Sequence, residues 1–273
     1  SGRIVSPGGE IVAFSAIALL SSCRYKGDVA MRDGIRMLHA ASQPPTVTGA
    51  VAHRLAEDMG FRYLPNLEVA DRMPFEDKVN MGFELALAHG MDGFFGLAGV
   101  LVAIAKKFEQ RSGKSNKTKM LKQPGALFRL SRGLLRSKSQ GRKLLPKDIW
   151  KFKTIVSAGT DCAVFKDKIE QLWGRKPLNI YGNTETGVLA TQTWDYQDMV
   201  FFPHLNFLEF IPEEECRKSA ADRTYQPQTV LLDQVQPGRN YELVVTNFHG
   251  GILVRYRLGE IVRITALSND KLG

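Results

Sequence analysis

The stretch from Lys153 to Tyr181 leaves few folds open. Lys153–Ser157 reads as a strand, Ala158-Gly159-Thr160 a turn, and Asp161–Trp173 a helical segment with Ala163, Ile169 and Leu172 among its apolar positions. Gly174 stops the helix, and Leu178–Tyr181 is a short apolar run. Strand, helix and strand at this spacing make a parallel unit, because parallel strands need a crossover of about a dozen residues or more. The turns at Ala158-Gly159 and Gly182-Asn183 then lie at the carboxyl ends of neighbouring strands, the rim on which open α/β sheets bind ligands. Asp161 fits the cap of the helix.

The flanking sequence extends this unit in both directions. Ser1–Gly9 reads as a loop, and Glu10–Cys23 is apolar on every side and suits either a buried helix or a strand followed by a helix. Asp28–Leu38 is expected to be helical, Thr48 to cap a helix running to Met59, and Phe75–His89 to be an amphipathic helix ended by Gly90. Gly93-Phe94-Phe95-Gly96 reads as a buried strand turning into a helix over Leu97–Gln110. After Gln192 the pattern changes to strands at Met199–Phe202, Asn206–Ile211, Thr229–Asp233, Tyr241–Asn247 and Ile252–Ile264, with Pro212–Thr224 as a charged surface loop. The fold class expected is α/β, a partly parallel sheet with flanking helices followed by a smaller β-rich subdomain. Residues 1–192 would form the first part and 193–273 the second.

Charge and cysteine usage narrow the function classes. The net charge of +9 is local: residues 106–153 hold 16 Lys and Arg against Glu109 and Asp148, a balance of +14, which leaves 9 − 14 = −5 for the rest. In this basic insertion Leu127, Leu130, Leu134 and Leu135 fall at helical spacing among Arg129, Arg132 and Arg136. Such a helix suits an anionic membrane surface, an acidic partner such as a carrier protein, or a solvated lid packing its leucines on its own domain. Phe128 is the lone aromatic among those cations, which speaks against nucleic acid. Three widely spaced cysteines and no apolar run of membrane-spanning length point to the cytoplasm.

The chemistry concentrates after the second strand, in Asn179-Ile180-Tyr181-Gly182-Asn183-Thr184-Glu185-Thr186-Gly187. A tyrosine ring can stack on a base, Thr184 can donate to a phosphate oxygen, and Glu185 can hold Mg²⁺ through a hard oxygen. The same residues also suit a plain turn with a helix start capped by Thr184 or Thr186. Further on, Asn240-Tyr241-Glu242-Leu243-Val244-Val245-Thr246-Asn247 is followed by Arg255-Tyr256-Arg257-Leu258-Gly259-Glu260. Tyr181–Glu185 and Tyr256–Glu260 together resemble the Tyr-Gly-x-Thr-Glu and Tyr-Arg-x-Gly-Asp motifs of the adenylate-forming superfamily of acyl-CoA ligases, luciferases and acyl-amido synthetases. The run Glu242–Thr246 with Arg255-Tyr256-Arg257 is similar to phenylacetate-CoA-ligase-like proteins and to the plant auxin-responsive acyl-amido synthetase family. His204–Pro212 looks more like the latter.

The resemblance implies ATP-dependent activation of a carboxylic acid as an acyl-adenylate, with Mg²⁺, followed by transfer to an amine, or to CoA in the alternative branch. It places Thr184 at the α-phosphate, Glu185 on the metal, Tyr181 on adenine and Glu260 on the ribose hydroxyls. Gly182 and Asn183 shape that loop, and Ser157, Ala158 and Gly159 meet the adenine. Phe94, Phe95, Gly96, Leu97 and Val100 become candidates for the acyl pocket, with core packing as their other reading. Arg257 or Arg263 could supply positive charge. Glu260 stands where the family has Asp. A Ser/Thr/Gly-rich phosphate loop ending in Lys and a mobile C-terminal lid domain with a catalytic Lys are expected in a longer synthetase of which this chain, similar mainly over Phe94–Ile264, would be a fragment. A non-catalytic relative that uses the basic segment to bind a membrane or a protein is the rival reading.

Overall fold

The computed structural model of the protein describes residues 7–40, 42–43, 46–111, 124–159, 161–183, 185–248 and 252–268. Seven strands form the larger sheet. β1 (Arg36–His39) pairs in parallel with β2 (Arg62–Leu64) on one side and β3 (Gly93–Leu97) on the other. β4 (Thr154–Ala158) and β5 (Leu178–Asn183) continue the parallel set. β6 (Gly187–Gln192) and β7 (Met199–Phe201) finish it antiparallel. The order is β2-β1-β3-β4-β5-β6-β7. A second sheet holds β8 (Phe207–Pro212), β9 (Val230–Leu231), β10 (Asn240–Asn247) and β11 (Leu253–Arg263), all antiparallel, in the order β11-β10-β8-β9.

Side-chain alternation along the parallel strands builds two cores. Met37, Phe95 and Val156 face α1 (Pro7–Ser22) and α2 (Val47–Met59), where they meet Phe14, Ile17, Val51 and Leu55. Leu38, Phe94 and Ile155 point the other way. After the single turn α3 (Leu67–Ala70), that second face is covered by α4 (Phe75–His89) and α5 (Ala98–Arg111). α6 (Pro124–Ser139), α7 (Pro146–Ile149) and α8 (Cys162–Trp173) complete it. Phe152 stacks on Trp173 at 4.8 Å between ring centroids, and Trp173 on Trp150 at 6.0 Å. This aromatic column ties the chain entering β4 to the end of the helix that follows it.

Four expectations give way to local chemistry. Asp28–Leu38 is not a helix: Gly27 and Gly34 adopt φ of 84° and 72°, and Met37 and Leu38 enter opposite cores as strand β1. Thr46 rather than Thr48 caps α2, its hydroxyl accepting from the Gly49 N–H at 3.2 Å. Asp161 stands at the N-cap of α8, but its side chain makes no capping bond. Pro212–Thr224 contains a helix, α9 (Glu213–Ala221), whose three first-turn glutamates complement the positive end of its dipole. Among the described residues no helix is long and apolar enough to cross a membrane, and the three cysteines are free thiols.

His39 ends β1 fully buried, with neither ring nitrogen hydrogen-bonded among the described residues. Burial, then the nearby Lys78 ammonium, push the imidazole down to about 4 from its ordinary 6.5. The folded pKa lies below the unfolded one, so this contribution is complete above pH 6.5 and is lost as the pH falls toward 4. We predict that wild-type stability falls by about 2 kcal/mol more than that of His39→Leu between about pH 7 and about pH 5, measured by urea denaturation. Equal pH dependence of the two proteins would contradict the neutral buried imidazole.

Candidate nucleotide and acyl site

Register alone brings the candidate residues to one rim. Leu97 lies beside Ala158 and Ala158 beside Ile180, so the chain leaving β3, β4 and β5 emerges at the same level. Gly159 turns with φ of 103°, and a Cβ there would lie 3.6 Å from Leu97 Cδ2. Ser157 is fully buried just below, and Ala158 packs on the α1–α2 core.

A second opening adjoins this one. The chain passes from β1 to β2 on one side and then to β3 on the other, which makes β1/β3 a switch point, where crevices form outside the strand ends. Gly96 stands there; an added Cβ would come within 3.0 Å of the Phe94 ring and 3.2 Å of the Ala40 carbonyl oxygen. Leu97 reaches the rim with 57% of its surface exposed. Phe94 is buried in the core under α4 and α5, and Phe95 in the opposite core, edge-on to Phe14 at 6.1 Å. Val100 is partly buried against the Phe94 side. Of the five acyl candidates, Gly96 and Leu97 meet the rim, while the two phenylalanines clamp their strand from either face.

The Gly182–Gly187 stretch is the turn of a β-hairpin. Instead of a helix, β6 follows, a strand that the polar turn concealed in the sequence. The two strands approach so closely that a Cβ on Gly182 would sit 2.4 Å from the Gly187 carbonyl oxygen, and Gly187 itself has φ of 72°. The turn is tied by Asn183, whose Oδ1 accepts from the Thr186 N–H at 2.9 Å and from its hydroxyl at 2.7 Å. Thr184 lies outside the described residues. Glu185 stands exposed on the turn, its carboxylate without a hydrogen bond or ion pair among the described residues.

Beside apolar packing of Leu189 and Tyr181, hydrogen bonds tie this hairpin to the second sheet. Asn247, buried at the end of β10, donates from Nδ2 to Asn206 Oδ1 at 2.5 Å and to the Thr186 carbonyl at 3.4 Å. The Tyr181 hydroxyl donates to Glu260 Oε2 across 79 residues of sequence. Burial first and this bond second push the Tyr181 phenol well above its ordinary range, so it stays a proton donor at neutral pH. Glu260 reaches Tyr181 because β11 is kinked: between the pairs Glu242–Ile261 and Val244–Arg257, β10 advances two residues and β11 four, with Gly259 at φ of 71° in the bulge. Arg257 does not serve as a free charge for the site. Its Nε donates to Glu242 Oε1 at 2.8 Å and its Nη2 to Oε2, which holds the Glu242 carboxyl below the usual range. Arg255 engages Glu209 in the same way, at 3.2 and 3.1 Å.

Asn206 and Asn247 were not anticipated as site residues. Asn206 stands just before β8 and Asn247 ends β10, each beside large apolar residues (Leu205 and Phe207, Phe248), and an amide at such a strand end was the available signal.

The chain is similar to known proteins in sequence and in fold. Residues 199–271 match the GH3 family central domain. Over 133 residues, 45% of this chain and 22% of the relative, it is 34% identical to the indole-3-acetic acid-amido synthetase GH3.15 of Arabidopsis thaliana. Over 67 residues, 24% of the chain and 10% of the relative, it is 40% identical to the indole-3-acetic acid-amido synthetase GH3.8 of Oryza sativa subsp. indica. The structure of a GH3.15 acyl acid amido synthetase superposes on 94% of this chain and 51% of its own length, with a TM-score of 0.62 at 15% identity. A 2-hydroxyisobutyryl-CoA ligase, in complex with 2-HIB-AMP and CoA, superposes on 94% of this chain and 45% of its own, with a TM-score of 0.55 at 13% identity. The fold is that of the adenylate-forming enzymes. The chain spans about half the length of these structures, and the matched central-domain region begins at β7 and carries Asn206, Glu242, Asn247 and Glu260.

Gly182→Ala should be severe, since the clash is with the backbone of the facing strand β6, at Gly187 and Val188. We expect a loss of about 2–4 kcal/mol in urea unfolding, whereas Gly238→Ala, whose Cβ would meet nothing within 4 Å, should cost only its strained φ of 83°. Equal effects of the two substitutions would contradict the close approach at Gly182.

Proposed function

We propose that this chain is the nucleotide-facing part of an ATP-dependent acyl-acid amido synthetase, which activates a carboxylic acid as its acyl-adenylate and transfers the acyl group to an amine. The observation that carries the reading is the hydrogen bond from Tyr181 to Glu260, which brings two distant motifs together on the carboxyl rim of an adenylate-forming fold.

In the first step a carboxylate oxygen of the acid attacks the α-phosphorus of ATP and pyrophosphate leaves. In the second, the amine nitrogen attacks the acyl carbon and AMP leaves with the bonding electrons. The residues of this chain bind and orient the reactants. Ser157, Ala158 and Gly159 form the adenine-facing edge and Tyr181 offers its ring, its hydroxyl being already committed to Glu260. Glu260 has a second carboxylate oxygen for the ribose hydroxyls, and its extra methylene relative to Asp is accommodated by the bulge that advances β11. Gly182 and Asn183 set the hairpin that presents Thr184 to the α-phosphate and Glu185 to the metal. The free, exposed carboxylate of Glu185 fits a magnesium ion held by one protein oxygen and substrate phosphates; the ion would neutralise charge on the phosphates. The acid is assigned to the β1/β3 crevice, with Gly96 and Leu97 at its mouth, Val100 beside them and Phe94 and Phe95 behind. The free thiols fit a cytoplasmic enzyme.

A CoA thioester product is the second reading, favoured by the superposition on the 2-hydroxyisobutyryl-CoA ligase over 94% of the chain. Calorimetric titration with a non-hydrolysable acyl-adenylate analogue in Mg²⁺ should show binding by the wild type and at least about tenfold weaker binding by Glu260→Ala, the loss of about 1.5–3 kcal/mol expected for hydrogen bonds to a charged group. Unchanged binding by the variant would remove Glu260 from the site. Product analysis with amino acids or CoA as acceptor then decides between amide and thioester.

A further inference from the structure

The basic helix α6 packs the opposite way from a lid that hides its leucines. The face it turns to the domain is its small one: Ala126, Gly133 and Ser137 are buried, and Leu130 is half-buried against the core. Gly133 fits so closely that an added Cβ would lie 3.0 Å from Leu144 and 3.2 Å from Ile149. Arg129 pins the helix from the inside, donating to the carbonyls of Ala88 at 2.7 Å and Leu87 at 3.2 Å at the end of α4. The large apolar residues point to solvent, Phe128 with 68% and Leu135 with 72% of its surface exposed, and Leu127 and Leu134 beside them.

At 100° per residue, Leu134, Leu127, Leu135 and Phe128 share one outer face with Ser131 and Lys138 between them, and Arg132 and Arg136 border it on the Phe128 side. Behind that border lies a cavity of about 220 Å³ lined by Phe128, Arg132, Arg136 and Lys151 among others. The side chains of Arg132, Arg136 and Lys151 make no hydrogen bond or ion pair among the described residues. The whole segment 106–153 carries a balance of +14. An apolar ridge edged with uncommitted cations complements an interface that is apolar within and anionic at its surface.

We propose that α6 docks the protein onto anionic phospholipid, with Phe128, Leu135, Leu127 and Leu134 inserting at the acyl boundary and Arg132, Arg136 and Lys151 taking headgroup phosphates. A soluble acidic protein would satisfy the cations and leave most of a convex four-residue apolar ridge in water, which is why the lipid surface is the better fit.

The test is co-sedimentation of the protein with vesicles of phosphatidylcholine alone and with about one third phosphatidylserine, beside the variants Arg132→Glu/Arg136→Glu and Leu135→Ser/Phe128→Ser. We expect pelleting with the anionic vesicles only, at least tenfold weaker partitioning for each double variant, and unchanged circular dichroism and thermal midpoint. A Phe128→Trp variant should show a blue-shifted emission on the same vesicles. Absence of binding by wild type, equal binding to neutral vesicles, or no shift in the emission of the Phe128→Trp variant would each overturn the proposal. So would capture by polyglutamate that is stronger than by vesicles, which would assign the patch to an acidic protein instead.

Discussion

The hydrogen bond between Tyr181 and Glu260 is the contact on which the candidate site depends. It links the last parallel strand of one sheet to the edge strand of another. Much of the surrounding structure serves to place those two side chains. The Phe152–Trp173–Trp150 column packs together the segments from which β4 and β5 begin. Gly182 and Gly187 let β6 return close enough to β5 to leave Tyr181 at the rim, and Asn247 ties the turn between them to β10. On the other side, a four-against-two bulge delivers Glu260. The pairs Arg257–Glu242 and Arg255–Glu209 neutralise the far side of the same strand. Charge that the motif brings to this region is thus divided: the arginines pair within the second sheet, and Glu260, beyond the bulge, meets Tyr181.

What the sequence disclosed follows from how local each signal is. The unit from β4 to β5 was legible because Gly159, Gly174 and Gly182 punctuate it and Ile155, Val156, Leu178 and Ile180 mark its strands. The strand–helix pair at Gly93–Arg111 and the helix at Phe75–His89 were legible for the same reason. Asp28–Leu38 misled because its polar and apolar residues mimic a helical period, and only the positive φ of Gly27 and Gly34 decides otherwise. α9 was hidden by having no apolar face; its reason for being helical is electrostatic, three glutamates on its first turn and Lys218 on its last. β6 was hidden by the turn that starts it.

The site was legible to a different degree. Tyr181, Gly182 and Glu260 were singled out by resemblance, and the structure brings Tyr181 and Glu260 into contact. No spacing rule could have paired residues so distant in sequence. The acyl candidates were read as one group of five, yet period-two alternation divides them: consecutive residues of a strand cannot face one crevice, so Phe94 and Phe95 enter opposite cores. The outward leucines of α6 reverse the usual use of an amphipathic period. Here the small residues sit inside because Leu144 and Ile149 leave room for nothing larger at Gly133.

The most direct test of this account is a double-mutant cycle on Tyr181→Phe and Glu260→Gln, read as urea unfolding free energies of the wild type, the two single variants and the double variant. If the two sheets are joined through this pair, the cycle should return a coupling of about 1 kcal/mol, the worth of a hydrogen bond to a charged group at a partly exposed site. Additive effects would mean that the pair is not formed in solution, and the joining of the two motifs into one site would fail with it.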